Sequence, residues 1–345
     1  MSALTCLCER GGNDMEKKIL RILLIVTVFV ILTLTLSNSS AVAGEKYPTG
    51  TINNICLFPP GTQPDLFNRI LSRSIERFLK VPVVTVNKPG GGGATGFSAL
   101  VSARPDGYTI GVGTVENMII PTFTEGKPPY SLDDLYILGQ VATIYNVLVV
   151  NADAPWKTWW EFADFAKKNP GQKYGCPGIR STFYMRLETL NKNANLGLIA
   201  VPFDSDVEVK TAVMGKTIPL GAWDLGSARE LQAAGKVRIL FIFEPPSAAG
   251  IDPKTAWLGD MEKNVVEKDI DISHCLAVHK NTPNEIKQVL KGTLEKVVKE
   301  PEFLADLKKM ELMINYVDGN IVMQKKVPQR VEQIKAFYKE RGWIK

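Results

Sequence analysis

Histidine is nearly missing from this 345-residue chain: only His274 and His279 occur, and neither has a histidine, cysteine or carboxylate at zinc-ligand spacing. A histidine-built metal centre is therefore excluded, and both residues read as strand positions. Cysteine is sparse too, at five, and the three beyond the leader (Cys56, Cys176, Cys275) are odd in number and match no metal motif. They do not describe a disulfide framework, although one pair could still bridge in an oxidising compartment. No cluster of Lys and Arg is interleaved with aromatics, which argues against a nucleic-acid partner. Low-complexity tracts and repeats of solenoid period are absent, leaving a globular composition.

No apolar run reaches the roughly 20 residues that a membrane-spanning helix needs. The longest mostly apolar, uncharged stretch, Ile22 to Leu36, is fifteen residues, follows Lys17, Lys18 and Arg21, and precedes the small-residue site Ala41-Val42-Ala43. This is the layout of a secretory signal peptide, so residues 1–43 are expected to be cleaved before Gly44 and the mature protein to be periplasmic. Translation from Met15 would leave a more compact charged leader. Removal of 1–43 takes away four basic and three acidic side chains and leaves 302 residues with 37 of one sign and 33 of the other. That length suits two domains.

What is present is a chain of strands ending in turns. The stretch Thr51 to Asp65, TINNICLFPPGTQPD, runs from a strand into Pro59-Pro60-Gly61 and then into a helix with Leu66, Ile70, Leu71, Ile75, Phe78 and Leu79 at helical spacing. A helix entered through Pro-Gly-Thr offers unpaired N–H groups at its positive dipole end, a natural anion site. An ordinary strand-to-helix connection capped by Asp65 or Thr62 is the plainer alternative. A second strand, Val81 to Val86, enters NKPGGGGATG, whose Gly91, Gly93 and Gly96 match the spacing of a dinucleotide fingerprint, with Glu116 twenty residues on. Pro89 and the short helix Thr95 to Ala103 count against that reading. An exported dinucleotide-binding oxidoreductase using Gly91 to Gly96 stays as the competing hypothesis.

Arg104-Pro105-Asp106-Gly107 then turns the chain into the strand Tyr108 to Gly113. LFPPGTQPD, VNKPGGGGATG and ARPDGYTIGVGT, in that order, resemble the substrate-receptor family of tripartite tricarboxylate transporters, the Bug-type extracytoplasmic solute receptors. The likeness continues through YNVLVVNADAPWKTWWEFADFAKKNPGQKYGCPG, VPFDSD and AWDLGSARELQAAGKVRIL. The resemblance implies an α/β, two-lobed type II periplasmic-binding-protein fold, each lobe a mostly parallel sheet flanked by helices. Lobe 1 would take residues 45–147 and 247–345 and lobe 2 residues 148–246, with crossings near Val147 and Pro246. It further implies a small organic acid as ligand, integral-membrane permease subunits as partners, no cofactor and a monomer.

The expected ligand-binding set comes from loops at strand ends. Phe58, Pro60, Gly61, Thr62 and Asp65 belong to the first loop, with Thr114 and Asn146 at later strand ends. Gly175, Cys176, Arg180, Ser181 and Thr182 form the opposing loop, where a Gly/Pro turn precedes a helix carrying Phe183, Leu187 and Leu190. Phe203 and Asp224 close two further strands, Asp224 as a helix cap. Gly61 and Thr62 are expected to donate to a ligand carboxylate, and Arg180 to reach it in bidentate fashion. Asp204, Ser205 and Asp206 stand where the family carries a Lys-Gly-Ser type loop, so a tricarboxylate should be tolerated poorly. The candidate loops hold no activated nucleophile, metal set or acid/base pair, which points to binding rather than catalysis. Thr158 with Glu161, and Thr282 with Glu285, are expected capping boxes, and Trp156, Trp159 and Trp160 expected packing residues.

Overall fold

The computed structural model describes residues 18–19, 21–25, 27, 47–123, 129–179, 181–261 and 272–344. The chain divides into two compact units, Met1–Lys46 and Tyr47–Lys345. In the first, the described residues are helical and exposed; most of the expected signal peptide lies outside them. Among the described residues no helix is long and apolar enough to cross a membrane.

The second unit holds two six-stranded sheets. The first is built from β1 (Ile52–Cys56), β2 (Val83–Asn87), β3 (Thr109–Thr114), β4 (Leu135–Ile144), β11 (Ser273–His279) and β12 (Leu312–Asp318) in the order β12-β4-β11-β3-β1-β2. The second uses β5 (Asn146–Asn151), β6 (Lys173–Pro177), β7 (Ile199–Phe203), β8 (Leu220–Asp224), β9 (Val237–Ile242) and β10 (Ala256–Trp257) in the order β10-β9-β5-β8-β6-β7. Both sheets repeat one plan: a strand (β1 or β6) lies between two parallel neighbours, and an antiparallel strand follows on the far side of β3 or β8. The sheets are thus mixed. Their parallel halves are the βα units seen in the sequence, and the antiparallel halves arise because β4 and β5 continue one another through Tyr145 from sheet to sheet.

Alternation along the strands explains why both faces of each sheet are covered. In β11, Leu276 and Val278 enter one apolar cluster while Cys275 and Ala277 enter another. In β5, Leu148 and Val150 face one core and Val147 and Val149 the opposite one. Membership of the second sheet runs past residue 246, since Ala256 and Trp257 pair with Phe241 and Ile242 of β9. Pro245 and Pro246 bend the chain into a short helical turn, Pro246–Ala249, but do not carry it back to the first sheet.

Helices cover these faces: α1 (Gln63–Leu79), α2 (Ala94–Ser102), α3 (Val115–Ile119), α4 (Trp159–Lys168), α5 (Thr182–Asn193), α6 (Asp206–Met214), α7 (Leu225–Ala233), α8 (Asn284–Val297), α9 (Pro301–Lys309) and α10 (Val327–Glu340). Proline opens α1, and Lys80 closes it in the left-handed region. Its buried stripe is Phe67, Leu71 and Ile75, whereas Leu66 is 47% exposed. Leu71 and Ile75 of the expected stripe are buried and Ile70 and Leu79 pack on the same core, while Phe67 replaces Leu66; Asn68 and Ser72 are buried beside them, bonded to Asn54, Thr85 and the Ile55 carbonyl of the strands below. Thr158 caps α4, but Glu161 reaches Lys157 N–H instead of closing the box. At α8 Pro283 takes the cap position and no side chain caps the helix. Of the expected packing residues, Trp159 is buried and Trp160 half exposed.

Candidate ligand-binding site

Registers locate the site before any side chain is considered. At the carboxyl end of β3, Thr114 stands opposite His274; Ser273 stands opposite Thr143 at the carboxyl end of β4. Across Tyr145, Asn146 begins β5 opposite Asp224, the last residue of β8. Because β1 and β2 run parallel to β3, and β6 and β7 parallel to β8 by way of β6, the carboxyl ends of the parallel strands in both sheets face the same crossing. Ligands of open α/β sheets bind outside such ends.

In the first sheet the turn after β1 is held by Asp65. Its Oδ2 accepts the Gly61 N–H and Arg69 Nε–H, both at 2.9 Å, and its Oδ1 accepts Asn87 Nδ2–H at 2.7 Å. Burial alone would raise this carboxyl, but the bonds from Arg69, Asn87 and Gly61 outweigh it and hold the group below its ordinary value. Asp65 therefore holds the turn, its carboxylate oxygens engaged by Gly61, Arg69 and Asn87. The expectation that Gly61 donates outward is corrected for the same reason: its N–H is already given to Asp65. Gly61 has φ +82 and a Cβ there would meet nothing, so backbone conformation and not crowding calls for glycine. Thr62 gives its hydroxyl to the Pro59 carbonyl at 2.7 Å. Phe58 is half-buried, its carbonyl accepting from Asn87, and Pro60 is exposed. What α1 leaves for a ligand is its first turn, where the N–H groups of Gln63 and Asp65 have no acceptor within the helix.

The glycine loop is a floor beside that turn. Gly90 to Gly93 all have positive φ, and Asn117 of α3 donates Nδ2–H to the Gly92 carbonyl at 3.0 Å while capping Thr114. A dinucleotide loop follows a central strand at the point where strand order reverses. This one follows β2, the edge of its sheet. Glu116, which the fingerprint would assign to a ribose, is buried and lies 3.2 Å from Arg330 Nε. Burial pushes its carboxyl up, and Arg330 opposes the shift.

In the second sheet the turn after β6 ends in a capped helix. Ser181 accepts the Tyr184 N–H at 3.1 Å and donates to the Gly178 carbonyl at 2.9 Å. Thr182, only 7% exposed, makes no side-chain hydrogen bond among the described residues. Gly175 and Cys176 lie inside the sheet. A Cβ on Gly175 would meet Ile218, Val209 and Phe203, and Cys176 is fully buried, its thiol pushed up to about 12 by burial and then by Glu188. Both residues pack within the sheet. Arg180 lies outside the described residues. Phe203 is half-buried at the end of β7. Asp224 caps α7 through Ser227 N–H at 2.9 Å, with Lys210 Nζ 3.8 Å from its Oδ2 and 2.8 Å from Asp206.

Asn146 is fully buried at the crossing itself. Its N–H donates to Glu244 Oε2 at 2.9 Å and its Oδ1 accepts from Arg186 at 3.1 Å, while Arg186 and Glu244 pair at 2.7 Å. These bonds place it in the joint between the sheets. Arg186, Glu244 and Arg330 carry no local motif; their partners come from far along the chain, so sequence reading passes over them. The three cysteines are buried and unbonded. Among the described residues no group of side chains is arranged to hold a metal ion. A groove of about 570 Å³ lies elsewhere, between α7 and residues 250–255, where Arg229 is committed to Glu311 and to the carbonyls of Ala249 and Gly250.

Two sheets of like plan, joined at a crossing with helices α1 and α5 starting at the strand ends there, give the two-lobed fold shared with solved periplasmic binding proteins. The family model for the tripartite tricarboxylate transporter family receptor matches residues 67–343, and the chain belongs to that family. It is similar to the UPF0065 protein in the gbd 5' region of Cupriavidus necator, 26% identical over 302 residues that cover 87% of this chain and 90% of the relative. Among solved structures it is similar in fold to MatC of Rhodopseudomonas palustris with bound malate, at 17% identity and a TM-score of 0.71, covering 84% of this chain and 99% of that one. A second R. palustris protein, solved with adipate, is 18% identical with a TM-score of 0.73 and coverage of 86% and 98%.

Proposed function

We propose that the chain is a periplasmic receptor that captures a small organic carboxylate between the two sheets and delivers it to the integral-membrane subunits of a tripartite tricarboxylate-type permease. The observation that carries this reading is the pair of helix N-termini, of α1 and α5, at carboxyl strand ends that face one crossing. Each offers first-turn N–H groups at a positive dipole end, and Thr182 adds a nearly buried hydroxyl that makes no side-chain hydrogen bond among the described residues. The malate and adipate bound by proteins of similar fold support a carboxylate as the ligand class. Asp204 follows the end of β7 beside β6, with Asp206 and Asp224 sharing Lys210, so one or two ligand charges suit this half-site better than three. Micromolar affinity corresponds to about 8 kcal/mol. Hydrogen bonds to a charged group contribute roughly 1.5–3 kcal/mol each, so a few donors from two helix ends suffice.

Such a receptor acts as a monomer, without cofactor or catalysis. Residues 1–43 serve as its export signal, which intact mass of the periplasmic protein checks: the mature chain starts at or near Gly44. For the ligand, thermal unfolding is followed with malate, adipate, citrate, aspartate and NAD. A ligand at 100 times its dissociation constant adds about 2.7 kcal/mol. Stabilisation by a mono- or dicarboxylate is expected; stabilisation by NAD alone would overturn the reading. Thr182→Val, which keeps shape and removes the hydroxyl, is expected to weaken binding about tenfold. Unchanged affinity would remove the Thr182 hydroxyl from the site.

A further inference from the structure

Helix α10 spans from one half-site to the other. Near its start, Arg330 pairs with Glu116 of α3, the helix that Thr114 caps, and Val327 and Ile334 pack in the cluster that holds Ile55 and Leu57 of the first loop. Beyond its end, Arg341 reaches the other lobe. Its Nε donates to Tyr184 Oη at 3.2 Å, its Nη2 pairs with Glu188, and its guanidinium lies 3.9 Å over the Phe337 ring. Tyr184 is also stacked by Trp343, with centroids 5.9 Å apart and planes at 21°. Tyr184 sits in the first turn of α5, its own N–H given to the Ser181 cap, and Glu188 one turn on accepts Tyr174 Oη of β6 at 2.6 Å. The grip therefore falls on the two turns of α5 that orient its N-terminus.

We propose that α10 and the residues after it form a brace that holds the two half-sites in register, with Arg341 as the positioning residue for α5. The brace rests on reading the α5 N-terminus as half of the ligand site. Nothing local in the sequence marks it, since Arg341 and Tyr184 are 157 residues apart. A charge-assisted pair of this kind, 17% and 16% exposed, is shielded enough to be directional. Its loss frees α5 to sample orientations that the ligand must then restore, and the loss is read as faster dissociation.

Arg341→Gln and Arg341→Lys are compared with the wild type in two measurements. Backbone hydrogen exchange of the ligand-free protein reports the first two turns of α5: with Gln, the amides of Met185 to Glu188 are expected to exchange at least about tenfold faster while β5 and β11 stay protected. Titration with malate and with adipate reports capture: with Gln, whichever acid binds the wild type is expected to bind about 3- to 10-fold more weakly, with Lys recovering part. Unchanged exchange in α5, or faster exchange spread evenly over both sheets, overturns the brace. So does wild-type affinity in a variant whose α5 is loosened. If neither acid binds the wild type, the carboxylate reading fails, and the exchange arm alone still decides whether Arg341 holds α5.

Discussion

Replacing Arg186 with Met tests whether the joint between the sheets depends on a buried charge pair. Arg186 is 2% and Glu244 7% exposed, with 2.7 Å between Nη1 and Oε1. The guanidinium also lies 4.2 Å from the Phe243 ring centroid and donates to Asn146, whose N–H is given to Glu244. At an effective dielectric of about 20, two charges at this separation attract by roughly 6 kcal/mol. Desolvation of both groups offsets most of that, so the pair adds little net stability while removal of one partner strands the other, at about 3–5 kcal/mol. Arg186→Met is thus expected to cost about that much, which for a protein of this size lowers Tm by about 5–8 °C. Glu244→Gln on top of it removes the stranded charge while keeping an acceptor for Asn146, and the double variant is expected to lie within about 2 kcal/mol of the wild type. Urea unfolding of the wild type, both singles and the double closes the cycle. A cost below about 1 kcal/mol for Arg186→Met, or a double variant as destabilised as the sum of the singles, would refute the reasoning.

His274 is buried against Phe67, ring centroids 4.2 Å apart, and burial pulls its pKa from 6.5 down to about 3. The unfolded chain therefore takes up this proton first, and stability falls as pH drops from about 6.5 toward 3, by up to about 1.4 kcal/mol per unit. His274→Gln should flatten that slope between pH 6.5 and 5 in urea unfolding; equal slopes would show that His274 charges without penalty. Gly175→Ala places a Cβ 2.5 Å from Ile218 Cδ1 and 2.9 Å from Val209 Cγ1. The overpacking is expected to cost about 1–3 kcal/mol, and an unchanged Tm would show that the strand yields freely.

Much of the local chemistry was legible in the sequence, although the capping boxes expected at Thr158/Glu161 and Thr282/Glu285 do not close. The strand-turn-helix at Thr51 to Asp65, the Thr158, Ser181 and Asp224 caps and the apolar alternation of the strands all follow from backbone preferences acting over a few residues. The run of motifs that resembles the receptor family is likewise a local record, and the family model bears it out. The direction of a single hydrogen-bond donor is not of that kind. Gly61 looks free to meet an anion, yet its N–H turns inward because Asn87 and Arg69 arrive from a neighbouring strand and the next turn of helix to complete the shell of Asp65.

Burial divides the remaining cases. Cys176 and Gly175 stand in a turn-like sequence but lie within β6, where Ile218 and Val209 from further along the chain close over Gly175 and Cys176 is buried in the apolar cluster of the other face. The pairs Arg186–Glu244, Arg330–Glu116 and Arg341–Glu188 join segments far apart in the chain. A charged residue carries the same local signal whether it meets water or a buried partner, and only the packing of sheets and helices removes the water and selects the partner. By itself the sequence determined which segments become strands, helices and caps, because those choices are made within a few residues; which atoms are left for a ligand was decided by tertiary structure, because it depends on which polar groups long-range packing has already satisfied.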